Sequence, residues 1–146
     1  MLVEIEEKED VKLLLALLRK YGMKPAMPGG GLAKGNRYFI LASDRYWVAG
    51  AWIHYPTPFR YVGETLKLPV TNAYFLRRVA QFAPGQWIVE LLRMLGRKIV
   101  DEEGKDALWA LGLPNHSNAI YREAGWRFVG ETKRSKHPVY AYDRCK

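Results

Sequence analysis

The stretch from Ala107 to Glu131 constrains the fold more than any other part of this chain. Its first residues, Ala107 to Leu113, form an apolar run of strand length that Pro114 ends. Residue types that favour a helix then run from Ala119 to Ala124, and Gly125 stands where a helix C-terminus takes a left-handed residue. Three residues before this helix are of the types that cap helix N-termini: Asn115, Ser117 and Asn118. The stretch therefore predicts a strand, a turn, a short helix with a glycine stop, and a second strand.

Two longer helices are predicted from apolar residues that recur at one-turn spacing. The first follows Asp10, which we expect to cap it, and ends at Gly22; its stripe consists of Val11, Leu14, Leu15 and Leu18. The second opens at Pro84 and Gly85, and its stripe consists of Ile88, Leu91, Leu92, Leu95 and Ile99.

The remaining elements are predicted to be strands and connections. Alternating or β-rich runs predict strands at Leu2–Ile5, Arg37–Ala42, Tyr46–Tyr55, Ala73–Phe82 and Pro138–Tyr142. The second and third of these form a hairpin around a short polar turn. Turns or loops are predicted at Met23–Asn36, which is rich in Gly and Pro, at Asp101–Asp106 and at Lys133–His137. The segment Phe59–Asn72 is ambiguous between a short strand and an irregular excursion.

Length and composition place this order of elements in one domain, residues 1–146, with one sizeable core. The single cysteine, Cys145, excludes a disulfide within the chain, which is typical of a reducing compartment. No apolar run reaches the length of a membrane span, and the acidic N-terminus does not resemble a signal peptide. We therefore expect a cytoplasmic protein with no membrane partner; we predict no metal site, and the oligomeric state stays open.

The formal net charge is +8, with a sequence pI of about 9.6. A polyanion such as DNA is therefore a candidate partner. Apart from residues 133–136, however, the positive charges are dispersed along the chain, and an anionic cofactor would also suit them. Composition leaves both alternatives open.

The sequence Tyr121-Arg122-Glu123-Ala124-Gly125-Trp126 resembles a motif of the GCN5-related N-acetyltransferases, in which a tyrosine precedes a glycine and an aromatic residue. The resemblance implies an α/β (α+β) fold: a mixed, mostly antiparallel sheet, splayed between its fourth and fifth strands and flanked by helices. It also implies an acetyl-CoA (coenzyme A) thioester as acyl donor and an amine as acceptor. Tyr121 would then protonate the departing thiolate, and Asn115, Asn118 and Tyr121 would contact the cofactor. An ordinary helix with a core tyrosine is the alternative interpretation.

A second resemblance concerns the passage from the fourth strand to the following helix. In this family a glycine-rich loop and the helix N-terminus bind the cofactor's pyrophosphate, because unpaired N–H groups and the positive end of the helix dipole converge there. The matching residues here contain Gln81 and Gly85, with Trp87 at a position usually held by a small residue. The resemblance implies that the cofactor is bound by Val79, Ala80, Gln81, Phe82, Ala83, Gly85, Gln86 and Trp87. A plain strand-to-helix turn is the alternative.

Acyl transfer to an amine also requires a base that keeps the amine neutral. His54, Glu64 or a water molecule are the candidates, and the sequence does not decide among them. The acceptor and the acyl group are also not determined by the sequence.

Two other functions stay open. Leu76 to Val79, together with the sequence Ala119 to Thr132, resembles the Mom-type branch of the superfamily, which modifies nucleobases in DNA. A DNA substrate would match the basic charge. A non-catalytic basic module that binds nucleic acid or protein is the third hypothesis, and affinity for the cofactor distinguishes it from the other two.

Overall fold

The computed structural model describes residues 1–22, 35–55, 60–114 and 116–143. In chain order the elements are β1 (Leu2–Ile5), α1 (Lys8–Tyr21), β2 (Asn36–Ser43), β3 (Tyr46–His54), α2 (Arg60–Thr65), β4 (Ala73–Gln81), α3 (Trp87–Gly96), a π-helical continuation of α3 (Arg97–Glu102), β5 (Ala107–Leu111), α4 (Ala119–Glu123), β6 (Arg127–Glu131) and β7 (Pro138–Asp143). The seven strands form one sheet in the order β1-β2-β3-β4-β5-β7-β6. Within the described residues, no helix is both long and apolar enough to cross a membrane.

The helices divide between the two faces of the sheet. The buried residues Leu14 and Leu18 of α1 pack against one face, in a cluster with Ile40, Trp52 and Ala80. The stripe predicted for α3 packs against the other face, where Leu91, Leu92, Leu95 and Ile99 are completely buried. We call these the α1 face and the α3 face. The two predicted apolar stripes are thus confirmed, because each matches one face of the sheet.

The sheet is splayed at its centre, as predicted. Strands β4 and β5 are parallel and are the only parallel neighbours among the described strands; the other neighbours are antiparallel. They pair at three positions: Ala73 with Ala107, Tyr74 with Leu108, and Phe75 with Trp109. Beyond Phe75, β4 continues to Gln81 along β3, while β5 pairs only with β7. The two central strands therefore separate at their carboxyl ends.

Three local predictions are corrected by the structure. Residues Arg60–Thr65 form α2, not a short strand or an irregular segment. Asp10 lies in the first turn of α1, and the N-cap position belongs to Glu7, whose side chain makes no capping bond. The predicted polar turn begins later than expected, because Asp101 and Glu102 still belong to the π-helical segment. Met23–Lys34, the greater part of the predicted Gly- and Pro-rich loop, lie outside the described residues.

Gly63 explains why the sequence did not predict α2. Glycine disfavours helix interiors, so its presence lowers any helix expectation for this segment. In the fold, an added Cβ at Gly63 would lie 2.4 Å from Val70 Cγ1 and 3.4 Å from the Trp109 ring. The close approach of Val70 therefore favours the glycine, and this contact is not visible in the sequence.

Candidate functional site

The open edge of β4 is the first component of the site. The Phe82 N–H donates to the Val48 carbonyl of β3 at 2.8 Å, and backbone groups in a strand alternate in direction. The backbone N–H and C=O groups of Val79 and Gln81 therefore point away from β3, toward the side from which β5 has departed. No described strand pairs with them there. This edge can accept an extended, amide-containing chain in the way that a sheet accepts an added strand.

The loop from β4 to α3 is the second component. The side-chain amide of Gln81 spans it: Nε2 donates to the Gly85 carbonyl, and Oε1 accepts the Ile88 N–H at 2.8 Å. Trp87 Nε1 donates to the Pro84 carbonyl at 2.9 Å. Gly85 has φ +132°, a conformation that side-chain-bearing residues rarely adopt. The loop is thus held in one shape by its own residues.

Several backbone N–H groups remain at this end of α3. Among the described residues, none accepts a hydrogen bond from the N–H groups of Gly85, Gln86, Trp87 or Val89. Pro84, Gly85 and Gln86 are exposed, so these donors open to solvent. Unpaired donors combined with the positive end of the α3 dipole favour an anion. Gln81 uses the Ile88 donor, so the loop offers fewer amides than an unobstructed helix start.

These two components fit coenzyme A. Its pantetheine arm is an extended chain with amides, and the edge at Val79 and Gln81 presents groups that pair with such a chain. Its pyrophosphate is an anion, and the exposed loop ends directly at that strand. Seven of the residues predicted to bind the cofactor, Val79 to Ala83, Gly85 and Gln86, lie on β4 or in this loop, although the Phe82 N–H is bonded to β3. Trp87 places its indole beside Gly85, where an added Cβ would lie 2.7 Å from Nε1.

Tyr121 lies on α4 and faces the core on the α3 side. Its side chain is 6% exposed, stacks on Tyr140 with ring centroids 5.0 Å apart, and contacts Trp126. Arg93 of α3 donates to the Glu123 carbonyl at 2.9 Å, which ties α4 to α3. Burial raises the pKa of the Tyr121 phenol well above its ordinary value, with a smaller contribution from Tyr140. The Tyr121 hydroxyl therefore keeps its proton at neutral pH.

Asn118 organises the turn that leads into α4. It adopts a left-handed conformation (φ 53°) and does not cap the helix with its side chain, contrary to the prediction of a capping role. Its Oδ1 accepts the Leu113 N–H at 3.0 Å, and its Nδ2 donates to the carbonyls of Leu113 and His116 at 2.9 and 3.0 Å. The amide donors predicted to contact the cofactor are thus occupied by the turn. Asn115 lies outside the described residues.

His54 ends β3 on the α1 face. Its Nδ1 lies 2.6 Å from Asn36 Oδ1, which also accepts the Trp52 Nε1–H at 2.8 Å. Because that amide oxygen is an acceptor, Nδ1 carries the proton in the neutral ring and Nε2 carries the lone pair. Burial, and to a smaller extent the positive charge of Arg77, lower the pKa of His54 below its ordinary value. The geometry thus gives a neutral imidazole with a basic Nε2.

The other candidate base, Glu64, is exposed on α2. Helix α2 packs through Val62 and Leu66 on a separate cluster around Trp109. The structure therefore brings the residues of β4, its loop and α3 together, and α4 lies against α3. His54 and Tyr121 lie on opposite faces of the sheet.

Comparison with known sequences finds a viral relative of this chain. The chain is 42% identical over 141 residues to Uncharacterized protein 154 of Sulfolobus islandicus rod-shaped virus 1, and the match covers 94% of this chain and 91% of the viral protein. No model of a known protein family matches the chain.

Solved structures of acetyltransferases share the fold. They include aminoglycoside acetyltransferase AAC(6')-Ib in complex with coenzyme A and kanamycin, with TM-score 0.70 and 11% identity, covering 99% of this chain and 95% of that one. A Bacillus subtilis acetyltransferase in complex with CoA has TM-score 0.65 and 11% identity, with 97% of each chain covered. Tetrahymena GCN5 has TM-score 0.65 and 10% identity, with 98% and 95% covered. The predicted fold, that of the GCN5-related N-acetyltransferases, is confirmed.

Proposed function

This chain belongs to the family of Uncharacterized protein 154 of Sulfolobus islandicus rod-shaped virus 1, and on its acetyltransferase fold we propose that it is an acyl-CoA-dependent N-acyltransferase. The observation that carries the proposal is the separation of β4 from β5 directly beside the exposed loop at the start of α3. A fold that served only as a scaffold would not need to leave the centre of its sheet unpaired, because unpaired strand edges cost stability and invite aggregation.

The backbone of β4 and the loop would hold the donor. Val79 and Gln81 would pair with the pantetheine amides, and the N–H groups of Gly85 and Gln86 would face the pyrophosphate. Bound acyl-CoA supplies an acyl group activated as a thioester. The role of the protein is then to orient the acceptor amine and to move two protons.

The two titratable groups have matching tasks. His54 would accept a proton from the acceptor amine at Nε2, since Asn36 holds the proton on Nδ1. Its lowered pKa keeps the imidazole neutral at pH values where an ordinary histidine is already partly charged. Tyr121 would donate a proton from its hydroxyl to the departing sulfur. Because they lie on opposite faces of the sheet, His54 and Tyr121 would reach a thioester between β4 and β5 from opposite sides.

Ligand-dependent stability tests the proposal. Binding to the native state alone adds about 2.7 kcal/mol of stability when the ligand stands at a hundred times its Kd. We expect acetyl-CoA to raise the melting temperature and adenine to leave it unchanged. If millimolar acetyl-CoA produces no shift, the enzyme hypothesis fails and the non-catalytic binding module is favoured.

A further inference from the structure

A cationic cluster on the α1 face has no role in the chemistry described so far. Its centre is Trp52 of β3, whose ring lies 4.3 Å from the guanidinium carbon of Arg77 and 6.1 Å from the Tyr38 ring. Arg78 lies beside Arg77 on the same strand and donates to the Leu18 carbonyl at 3.2 Å. Trp52 and Tyr38 are buried, Arg77 and Arg78 are half-buried, and the positive charge of Arg77 acts on the nearby His54.

A β-bulge places Arg77 in this cluster. The β3–β4 register pairs Trp52 with Arg78 and Ile53 with Leu76, so Arg77 is the additional residue on β4. In a regular strand, Arg77 and Arg78 would point to opposite faces. The bulge instead turns Arg77 to the α1 face, where its guanidinium lies over Trp52. Bulges of this kind re-aim a side chain beside active sites.

Arg77 and Tyr38 are incompletely satisfied. Among the described residues, the buried side-chain polar atoms without a hydrogen-bond partner are Arg77 Nε and Tyr38 Oη, and both belong to this cluster. Native proteins contain few such atoms, and each calls for a ligand, a water or a functional reason. Both side chains pack near one indole ring, so the two unsatisfied donors belong to the same cluster.

The charge of the cluster favours an anion as its partner. No described carboxylate forms an ion pair with Arg77 or Arg78, whose charges are instead opposed by each other and, for Arg78, by Arg19. Burial lowers the pKa of both guanidinium groups, and the described contacts that compensate for it contain no carboxylate: Tyr38 and the Trp52 ring beside Arg77, and the Leu18 carbonyl beside Arg78. A guanidinium with a planar set of donors matches phosphate better than it matches any neutral group.

We propose that Arg77, on Trp52 and beside His54, binds a phosphate group of the acceptor, so that the acceptor is a phosphate-bearing amine. The proposal rests on the proposed function, because it assigns the acceptor to the face on which His54 presents Nε2. The phosphate has two possible sources: a small phosphomonoester, or the phosphodiester of a nucleic-acid strand.

Calorimetric titration at low salt tests this assignment. The probes are inorganic phosphate, adenosine 5′-monophosphate and a short oligodeoxyadenylate, each added to protein saturated with CoA so that the loop amides of α3 are occupied. If CoA does not bind, the same titrations are made without it. The variants are Arg77→Gln and, as a matched loss of one positive charge at an exposed position, Lys8→Gln.

We expect Arg77→Gln to weaken probe binding about ten- to a hundredfold, the loss typical of hydrogen bonds to a charged group. Lys8→Gln should weaken it by no more than about fivefold, as for an exposed charge. Binding of all three probes identifies a phosphomonoester-compatible site, whereas binding of the oligonucleotide only identifies a strand. If Arg77→Gln does not fold by circular dichroism, Arg77→Lys, which keeps the charge but loses the planar donors, must still bind more weakly than the wild type.

The proposal is overturned if the wild type binds no probe, or if Arg77→Gln binds every probe as the wild type does. The acetyl-CoA thermal shift should be equal in wild type and Arg77→Gln. If acetyl-CoA produces no thermal shift in the wild type, the proposed acyltransferase function is refuted, whatever the phosphate titrations show.

Discussion

Substitution of Tyr121 by Phe separates its chemical role from its packing role. The phenylalanine ring keeps the stack on Tyr140 and the contact with Trp126, so α4 should retain its position. The Tyr121 hydroxyl makes no hydrogen bond with a described residue, so its removal leaves no described donor or acceptor unpaired. At neutral pH we therefore expect the free energy of unfolding to change by less than about 1 kcal/mol.

Alkaline pH should reveal the burial of the Tyr121 side chain. In the folded protein the raised pKa keeps Tyr121 neutral, whereas in the unfolded chain a tyrosine ionises near its ordinary value of about 10. Above that value the folded state binds more protons than the unfolded state, so stability falls as pH rises. From about pH 9 to about pH 11 the ionisation of this residue alone should lower the free energy of unfolding by about 1.4 kcal/mol. Tyr121→Phe should not show this decrease.

Two assays measure these effects. Urea denaturation at both pH values compares the wild type with Tyr121→Phe and with Tyr46→Phe, the same change at a tyrosine that is 74% exposed. Only Tyr121→Phe should reduce the loss of stability at alkaline pH. Turnover should fall about a hundredfold, the low end for general acid catalysis, because a thiolate is a fair leaving group without help. Acetyl-CoA hydrolysis or a screen of amines supplies the first activity assay.

Either of two results would refute this reasoning. If the wild type and Tyr121→Phe lose the same stability at alkaline pH, the hydroxyl is not desolvated in the folded protein. Full turnover by Tyr121→Phe, with unchanged acetyl-CoA binding, would make the tyrosine a packing residue and assign proton donation to water or another group.

The remaining predictions concern the two turns that border the site. Gly85→Ala should abolish the acetyl-CoA thermal shift, since an added Cβ would meet Trp87 at φ +132°, whereas Gly104→Ala, at φ 78° beyond α3, should keep it. An unchanged shift in Gly85→Ala would remove the loop from the cofactor site. Asn118→Ala should destabilise the protein by about 2 to 4 kcal/mol through three lost hydrogen bonds and left-handed strain, and Asn118→Gly by about 1 to 2 kcal/mol less. Equal stability of the two Asn118 variants in thermal denaturation would show that the backbone strain is unimportant.

Part of the candidate site could be read from local sequence. Gly125 was expected to end α4 in a left-handed conformation, and its φ of 87° confirms this. The stripe of α3 and the strand β4 were predicted with nearly the observed bounds. Predictions of this kind succeed because helix periodicity and the conformational freedom of glycine depend on residues within one or two turns of each other. The roles predicted for Tyr121, His54 and the β4–α3 loop stay predictions.

Other features appear only in the folded chain. The length of the β4–β5 pairing, which sets where the cleft opens, depends on contacts between residues more than thirty positions apart, such as Phe75 with Trp109. The bulge at Arg77 is likewise a shift in the pairing of β3 with β4, so the sequence of either strand alone does not reveal it.

Long-range contacts also decide what the polar groups of the site can do. The Gln81 side chain bridges the β4–α3 loop by hydrogen bonds, and the His54 ring is hydrogen-bonded to Asn36 of the neighbouring strand β2. Local sequence determines which elements form and which way their apolar sides point, because those properties follow from backbone preferences and burial. The register between strands and the faces on which polar residues meet are decided by packing of the whole sheet, because only there do distant residues compete for the same space.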